Sequence, residues 1–541
     1  MVNEVSLNRI DYAFSKFIGI KSELKDEQRK NLECIIAKLS NIYSQGHSFL
    51  EVNDEDESII ILSGMAANET SPLVLVNKQL YLQRYWGYEA QLAEKLKEIS
   101  KGGAGVIVEN AIINRYFPIT EEVDWQREAA KATLDSYLTI ITGGPGTGKT
   151  TTIVKILALL QELSETPFNI ALAAPTGKAA NRLQESIAGH KNGLNCSDLI
   201  KEFIPEQVVT IHRLLGAKPP SPYFRYDAKC QLPYDIVVID EVSMIDLPLM
   251  SKLVAALKVG ARLILLGDKD QLSSVDVGSV LADLSSALPE HTQELKTTYR
   301  FSQNIQEFSQ AINLQKAELA WEVLKNDDAD VCELKGDLIN YIADKYVDYL
   351  SLITQSSDFI ESFNEFSKFQ VLCATRQGLN SVSDINSRVT LELRERKLIA
   401  HTAEWYSGRP IMVTQNDSVL QLYNGDIGIC MPDVESSGQL MVFFVLANGV
   451  VRKYMPARLP HCETVYAMTI HKSQGSEFDE VLLILPDKVS PILTKELIYT
   501  GITRSKKVIK LYTTKEVFLQ TVQRKVERFS GLADKLKNSL S

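Results

Sequence analysis

The sequence has 541 residues, 45% of them apolar and 23% charged, which is the composition of a folded protein too long for one hydrophobic core. Its formal net charge is −10, so a nucleic-acid partner would need a local basic groove rather than a generally basic surface. No apolar run approaches the ~20 residues needed to span a bilayer, MVNEVSLNRIDYAFSKF does not read as a secretion signal, and seven scattered cysteines without a C-x-x-C pair fit a reducing cytoplasm and argue against a zinc site.

Residues 1–115 carry no phosphate motif. LNRIDYAFSKFI and NLECIIAKLSNIYSQ have helical apolar spacing, and SPLVLVNKQLYLQRYWGYEAQLAEKLKEI reads as a short strand pair followed by a helix. The aromatics of LYLQRYWGYE suit core or interface packing better than base stacking.

Next come an apolar strand, LTII (138–141), and an apolar helix, IVKILALL (153–160), with TGGPGTGKTTT (142–152) between them. The pattern G-x-x-x-x-G-K-T runs from Gly143 through Gly144, Pro145, Gly146, Thr147 and Gly148 to Lys149 and Thr150, with Thr151 behind it. Glycines let such a turn point its N–H groups inward, and the helix N-terminus adds positive potential where an anion sits. Lys149 is expected on the β- and γ-phosphates of ATP, and Thr150 on Mg²⁺.

Pro219, Pro220 and Pro222 forbid a helix at the start of KPPSPYFRYDAKCQLPYD (218–235), where YFRYDAKCQL has the length of a short hairpin with its tip at 227–229. YDIVVIDEVSMID (234–246) is a buried strand ending in two carboxylates. Asp240 is expected to hold Mg²⁺, and Glu241 to orient and deprotonate the attacking water. A third strand, in RLILLGDKDQL (262–272), runs into Gln271, which is either a γ-phosphate contact or part of a polar loop. VLCAT (371–375) opens a second sheet that resumes near Tyr466 and closes with a helix and strand around 497–512. The segment between, from PIMVTQ to KYMP (410–456), is strand-rich with turn signals at Asn424-Gly425 and Asn448-Gly449.

LILLGDKDQLSSVDVG, TTYRFSQNI, TIHKSQGSEFDEVLLILP and LIYTGITRSKKVIKLY resemble, in order and spacing, the motifs of superfamily 1 helicases. More narrowly they resemble the RecD family, α subunits of bacterial exonuclease V (RecBCD) complexes. The similarity runs from Trp125 to about Tyr512. It implies an α/β fold: two RecA-like P-loop NTPase domains with parallel sheets, a small SH3-like β-barrel insertion, and a mainly helical N-terminal domain that docks on RecC. The corresponding divisions are 1–115, 116–310 with a strand-separating pin near 220–233, 311–400 plus 463–541, and 401–462 for the insertion.

The resemblance also assigns roles. Gln126 reads the adenine edge, Tyr299 stacks on the base, Glu477 lies near the ribose, and Arg300 and Arg504 reach the γ-phosphate. APTGKAANRL (174–183) and TIHKSQGSEF (469–478) lie on single-stranded DNA. The DNA contacts expected there and nearby are Pro175, Thr176, His212, Thr375, Arg376, Thr469, His471, Ser473 and Gln474. The implied activity is an ATP- and Mg²⁺-dependent DNA helicase moving 5′→3′, partnered by RecB and RecC in double-strand break repair, with any nuclease in RecB. Alternatives are a single-strand translocase that does not separate strands, and a non-motor ATP switch.

Overall fold

Apolar runs flanked by glycine and acidic loops become strands buried on both faces, and these build two parallel sheets that meet across a cleft. The computed structural model describes residues 7–103, 110–119, 123–299, 302–326, 329–355, 358–401, 403–417, 419–446 and 449–537. The first sheet has the order Val209–Thr210, Ile170–Ala174, Ile236–Ile239, Arg262–Gly267, Leu138–Thr142, Thr292–Glu294, all parallel. Leu138–Thr142, Ile170–Ala174, Ile236–Ile239 and Arg262–Gly267 are buried throughout, as parallel strands covered on both faces must be. Thr142 pairs with Gly267, and Ile239 with Leu265. That register brings the residues that follow, Gly143, Asp240 and Asp268, to one edge of the sheet.

The second sheet has the order Val331–Glu333, Ser505–Tyr512, Phe478–Ile484, Phe369–Cys373, Ala467–Thr469, also parallel. It therefore begins at Val331 rather than at VLCAT. The three-residue edge strand is too short to show as a pattern. Both sheets are α/β layers of the kind expected of RecA-like domains.

Between Phe369–Cys373 and Ala467–Thr469 the chain builds a five-stranded antiparallel sheet, ordered Val451–Tyr454, Gln439–Val445, Ile427–Asp433, Pro410–Val413, Cys462–Thr464. Alternation serves two cores. Ile411, Val413, Cys430 and Val442 fill the insertion's own interior, while Met412, Ile429 and Met431 join the core of the second domain. Gly425 takes φ +97 at the first expected turn. Of the second, Gly449 takes φ +73 and Asn448 lies outside the described residues.

At the N-terminus, helices Arg9–Lys21, Asp26–Ser44 and Asp54–Leu62 pack beside a three-stranded antiparallel sheet. Its hairpin, Leu73–Val76 and Gln79–Leu82, turns on Asn77 and Lys78, both at positive φ, the type I′ geometry. The helix that follows, Gln83–Ser100, sinks Leu92, Ala93 and Leu96 into the core beneath the first parallel sheet. Leu532 and Leu536 of the last helix, Leu532–Lys537, enter that same core. Residues at both ends of the sequence thus pack with the first parallel-sheet domain, across the divisions at 115 and 463–541.

The segment 223–232, expected as a hairpin with its tip at 227–229, forms no strand pair. Its one ladder contact among the described residues is an isolated antiparallel bridge between Ala217 and Phe224. The Asp227 carboxylate accepts from Lys229 N–H at 2.8 Å and Cys230 N–H at 2.9 Å, closing a turn on itself. The aromatic residues prefer the body: Phe224 and Tyr226 pack against the first-domain core, and Leu232 is buried within it.

Candidate active site

Three loops leave adjacent strand ends of the first sheet, and a helix of the second sheet closes over them. Together they enclose a cleft of about 780 Å³. The first loop is the glycine turn. Gly146 and Gly148 sit at φ +81 and +84, and Gly148 caps helix Lys149–Leu163. The positive φ of Gly148 favours glycine there, and a Cβ on Gly143 would lie 2.9 Å from the backbone Leu295 O, so that position needs glycine too. Thr147 Oγ1 donates to Gly144 O at 2.8 Å and tightens the turn. Lys149 Nζ donates to Gly143 O at 2.6 Å and Gly144 O at 3.1 Å, so the loop's own carbonyls occupy the ammonium that is expected on phosphates. Burial lowers the Lys149 pKa, opposed first by Asp268.

The second loop follows Ile236–Ile239. Asp240 Oδ1 accepts from Glu241 N–H at 2.9 Å, and burial followed by the charge of Glu241 pushes the Asp240 carboxyl up to about 6. Glu241 itself adopts a left-handed backbone, φ +52, uncommon for a residue with a side chain and typical of functional sites that store strain. The third loop follows Arg262–Gly267. Asp268 is buried and raised to about 6, chiefly by desolvation. Gln271 Nε2 donates to Asp268 Oδ2 at 3.0 Å, while Gln271 Oε1 is buried without a donor among the described residues. Gln271 is among the residues that line the cleft.

From the second domain, Arg504 is 1% exposed and donates to Thr500 O at 3.1 Å and Thr503 Oγ1 at 3.4 Å, with Glu241 and Asp268 the principal opposing charges. Tyr499 donates to Asp268 Oδ2 at 3.1 Å. Leu272, next to Gln271, gives its N–H to Thr500 Oγ1 at 2.8 Å and accepts from Gln474 Nε2 at 3.2 Å. The third loop is therefore pinned to the second domain.

Gln126, Gly146, Lys149, Thr150, Thr151, Asp240, Glu241, Gln271, Tyr299, Glu477 and Arg504 all border this cleft. Tyr299 is exposed over the turn, its N–H donating to Gly146 O at 2.9 Å. Arg300 lies outside the described residues. Sequence reading missed Arg182, which lines the cleft and pairs with Glu477. It also missed His190, whose Nδ1 donates to Ser186 O at 2.7 Å, leaving Nε2 to accept from Thr151 Oγ1 at 2.9 Å. A signal existed: Ala179, Arg182, Ser186 and His190 recur on one face of helix Gly177–Lys191, which Thr176 caps.

The residues expected on a DNA strand divide into two groups. Pro175, Thr176, Thr375, Arg376 and Thr469 follow or end parallel strands, and His212 is exposed on helix Ile211–Leu214. Arg376 pairs with Glu463 at 3.1 Å, and burial lowers the pKa of half-buried His471. Ser473 and Gln474 are engaged inside the protein. Ser473 is fully buried and donates to Ile470 O at 2.7 Å, because its hydroxyl closes the turn, and Gln474 holds Leu272. The unspent hydroxyl of this stretch is that of Ser476, buried without a partner among the described residues.

The family model of the AAA domain matches residues 126–277, and that of the UvrD-like helicase C-terminal domain matches 464–512. The chain is 32% identical to the RecBCD enzyme subunit RecD of Haemophilus influenzae, over 98% of both chains. It is 37% identical to that of Mycolicibacterium smegmatis, over 87% of this chain and 86% of the relative. It is 31% identical to the ATP-dependent RecD2 DNA helicase of Deinococcus radiodurans, over 68% of this chain and 46% of that one. No described helix is long and apolar enough to cross a membrane. With the helicase cleft and full-length similarity together, the chain belongs to the RecD family of ATP-dependent superfamily 1 DNA helicases.

Proposed function

We propose that the chain is a 5′→3′ DNA motor that works as the α subunit of a RecBCD-type assembly in the bacterial cytoplasm. The observation that carries this reading is the convergence of Lys149, Asp240, Glu241 and Gln271 from one sheet with Arg504 from the other on one cleft. ATP bound there touches both domains, so hydrolysis changes the contacts between them, and alternating grip turns cleft motion into steps. On binding, phosphate oxygens displace the Gly143 and Gly144 carbonyls from Lys149. Glu241 and the free Gln271 Oε1 orient the attacking water, and Arg504 stabilises charge on the leaving phosphoryl oxygens.

Mg²⁺ fits the donors present. Thr150 and Asp240 border the same cleft, and a carboxyl raised by burial is one that a cation would stabilise. The ion would neutralise phosphate charge. Thr176, Thr375 and Thr469, at strand ends of both sheets, suit phosphate contacts that need no base identity. The antiparallel insertion is read as the SH3-like module, and the N-terminal unit as the RecC-facing one. Any nuclease of the assembly is assigned to RecB.

The test is Lys149→Gln in the native assembly, assayed for DNA-stimulated ATP hydrolysis and forked-duplex unwinding. Loss of both with an unchanged melting curve is expected. Normal hydrolysis by the variant refutes the site. Co-purification that brings down neither RecB nor RecC refutes the assembly.

A further inference from the structure

Residues 524–528 carry the chain from the second motor domain back to the first, and both ends of that crossing are pinned. On the second-domain side, Lys495 N–H donates to Arg524 O at 2.8 Å, Arg524 Nη1 to Ser490 O at 2.6 Å, and Val526 N–H to Glu496 Oε2 at 3.1 Å. Lys495 and Glu496 open the helix Lys495–Ile502 that carries Tyr499.

On the first-domain side the Arg528 guanidinium donates to three carbonyls of one loop: Ser274 at 2.6 Å, Asp276 at 3.0 Å and Gly278 at 2.7 Å. This loop directly follows Gln271 and Leu272. The N-terminal unit grips it as well, since Gly278 N–H donates to Gly46 O at 3.0 Å. Gly46 sits at φ +88, and a Cβ there would meet Arg528 Cζ at 2.8 Å, so the guanidinium lies against bare backbone.

The next residues fasten the tail. Phe529 stacks on His47 at 4.9 Å and accepts from Ser48 N–H at 2.8 Å. Beyond it, the fully buried Glu89 carboxylate accepts from Ser48 Oγ at 2.6 Å, Gly531 N–H at 3.0 Å and Lys535 Nζ at 2.7 Å.

Between Val526 and Arg528 stands one exposed residue, Glu527. Two residues fully extended span at most ~7 Å, so the backbone link has little length to give. A shift of the second domain against the first larger than the link and the Arg528 side chain can absorb breaks an anchor or pulls on loop 274–278. We propose that Arg528 is a positioning residue for Gln271: through its two-residue link to helix Lys495–Ile502 it makes the loop behind Gln271 move with the second domain. The same displacement reaches the N-terminal unit through Gly46. The proposal rests on the reading of the cleft as the motor's ATP site.

The test inserts a six-residue Gly/Ser segment between Glu527 and Arg528, adding roughly 20 Å of reach. It uses the full chain in the assembly with which it purifies. Amide exchange in 272–280 is compared with and without a non-hydrolysable ATP analogue. A nucleotide-dependent change in the parent is expected to shrink at least ~5-fold in the variant, with analogue affinity retained and base pairs opened per ATP reduced. If the insertion unfolds the tail, Arg528→Ala in the uninterrupted chain carries the same test, and Arg528→Lys is expected to restore part of the response. An exchange response and a coupling ratio equal to the parent's in the folded variant overturn the proposal, as does a nucleotide-bound parent whose loop does not respond. A parent that fails to bind the analogue counts instead against the ATP site.

Discussion

The Tyr499 hydroxyl donates to Asp268 Oδ2 at 3.1 Å, a contact between residues 231 positions apart that joins the two motor domains behind the phosphate cradle. Asp268 also accepts from Gln271 Nε2, so one buried carboxylate links Gln271 to the helix leading to Arg504. Hydrogen bonds to charged acceptors contribute about 1.5–3 kcal/mol. Tyr499→Phe keeps the ring and removes the donor. We expect kcat for ATP to fall ~10-fold with KM within about twofold, because the contact fixes the closed arrangement rather than the bound nucleotide. Steady-state ATPase kinetics decide it: a pure rise in KM would mean Tyr499 serves binding instead.

Arg504 is almost wholly inside the protein, and two of its donors are spent on Thr500 and Thr503. The rest of the guanidinium remains for the phosphoryl group. A lysine would keep the charge and lose the planar fork. Both Arg504→Ala and Arg504→Lys should therefore lower kcat ~10³-fold, with ATP affinity little changed. Single-turnover hydrolysis beside equilibrium nucleotide binding distinguishes the outcomes. Should Arg504→Lys turn over at nearly the parent rate, charge alone suffices and the fork has no role.

What the sequence shows and hides follows from the range of each interaction. The turn from Gly143 to Thr150 is a local device, with its strand, glycines and helix in consecutive residues, so it could be read directly. Asp240 and Glu241 were readable for the same reason: a buried apolar run ends in charge where open α/β sheets place their chemistry. Helical spacing places Arg182 on the face of its helix that lines the cleft, but its pairing with Glu477, 295 positions away, has no local signal. Nor does anything local say that Ser473 closes a turn while Ser476 is left unpaired, or that Leu532 and Leu536 return to the core of the first sheet. The segment 223–232 has the length of a hairpin, but length does not set pairing: Phe224 and Tyr226 pack against the core and control that backbone.

Asp283, on helix Val280–Ala287, sits beneath the tail with Oδ2 buried and without a donor among the described residues. Burial raises it from its ordinary 3.8 to about 7, against the Ser530 hydrogen bond and the charge of Arg528, while Glu89 and Asp534 add to the rise. A carboxyl with a raised folded-state pKa favours folding fully below 3.8, and that contribution is lost as pH climbs to about 7. Asp283→Asn should thus be stabilising at pH 8, by about 1–2 kcal/mol, with the advantage fading by pH 4. Urea midpoints of parent and variant across that range test the sign. An advantage that grows as pH falls would show that Asp283 is held as a carboxylate.

Strand separation needs a bulky element at the duplex junction, and the segment near 220–233 is where the resemblance puts it. The structure narrows what that segment can present. Phe224 lies edge-on to His212 with ring centroids 5.8 Å apart, and Lys252 sits 5.5 Å from its ring, so it braces the loop instead of facing out. Tyr223 is 76% exposed, and the neighbouring Arg225 is exposed too. An aromatic face and a guanidinium can both stack on the last base pair, at ~1–3 kcal/mol per stacked base. Replacing the whole segment would remove buried Leu232 and damage the core, so the informative change is the double substitution Tyr223→Ala and Arg225→Ala. We expect forked-duplex unwinding to fall at least ~10-fold, while DNA-stimulated ATPase and single-strand translocation on the same preparation stay within about twofold. The second control variant, Phe224→Ala, should lower thermal stability and reduce all three activities together, since it removes the brace. Unwinding at the parent rate in the double variant would place the splitting element elsewhere on the first domain.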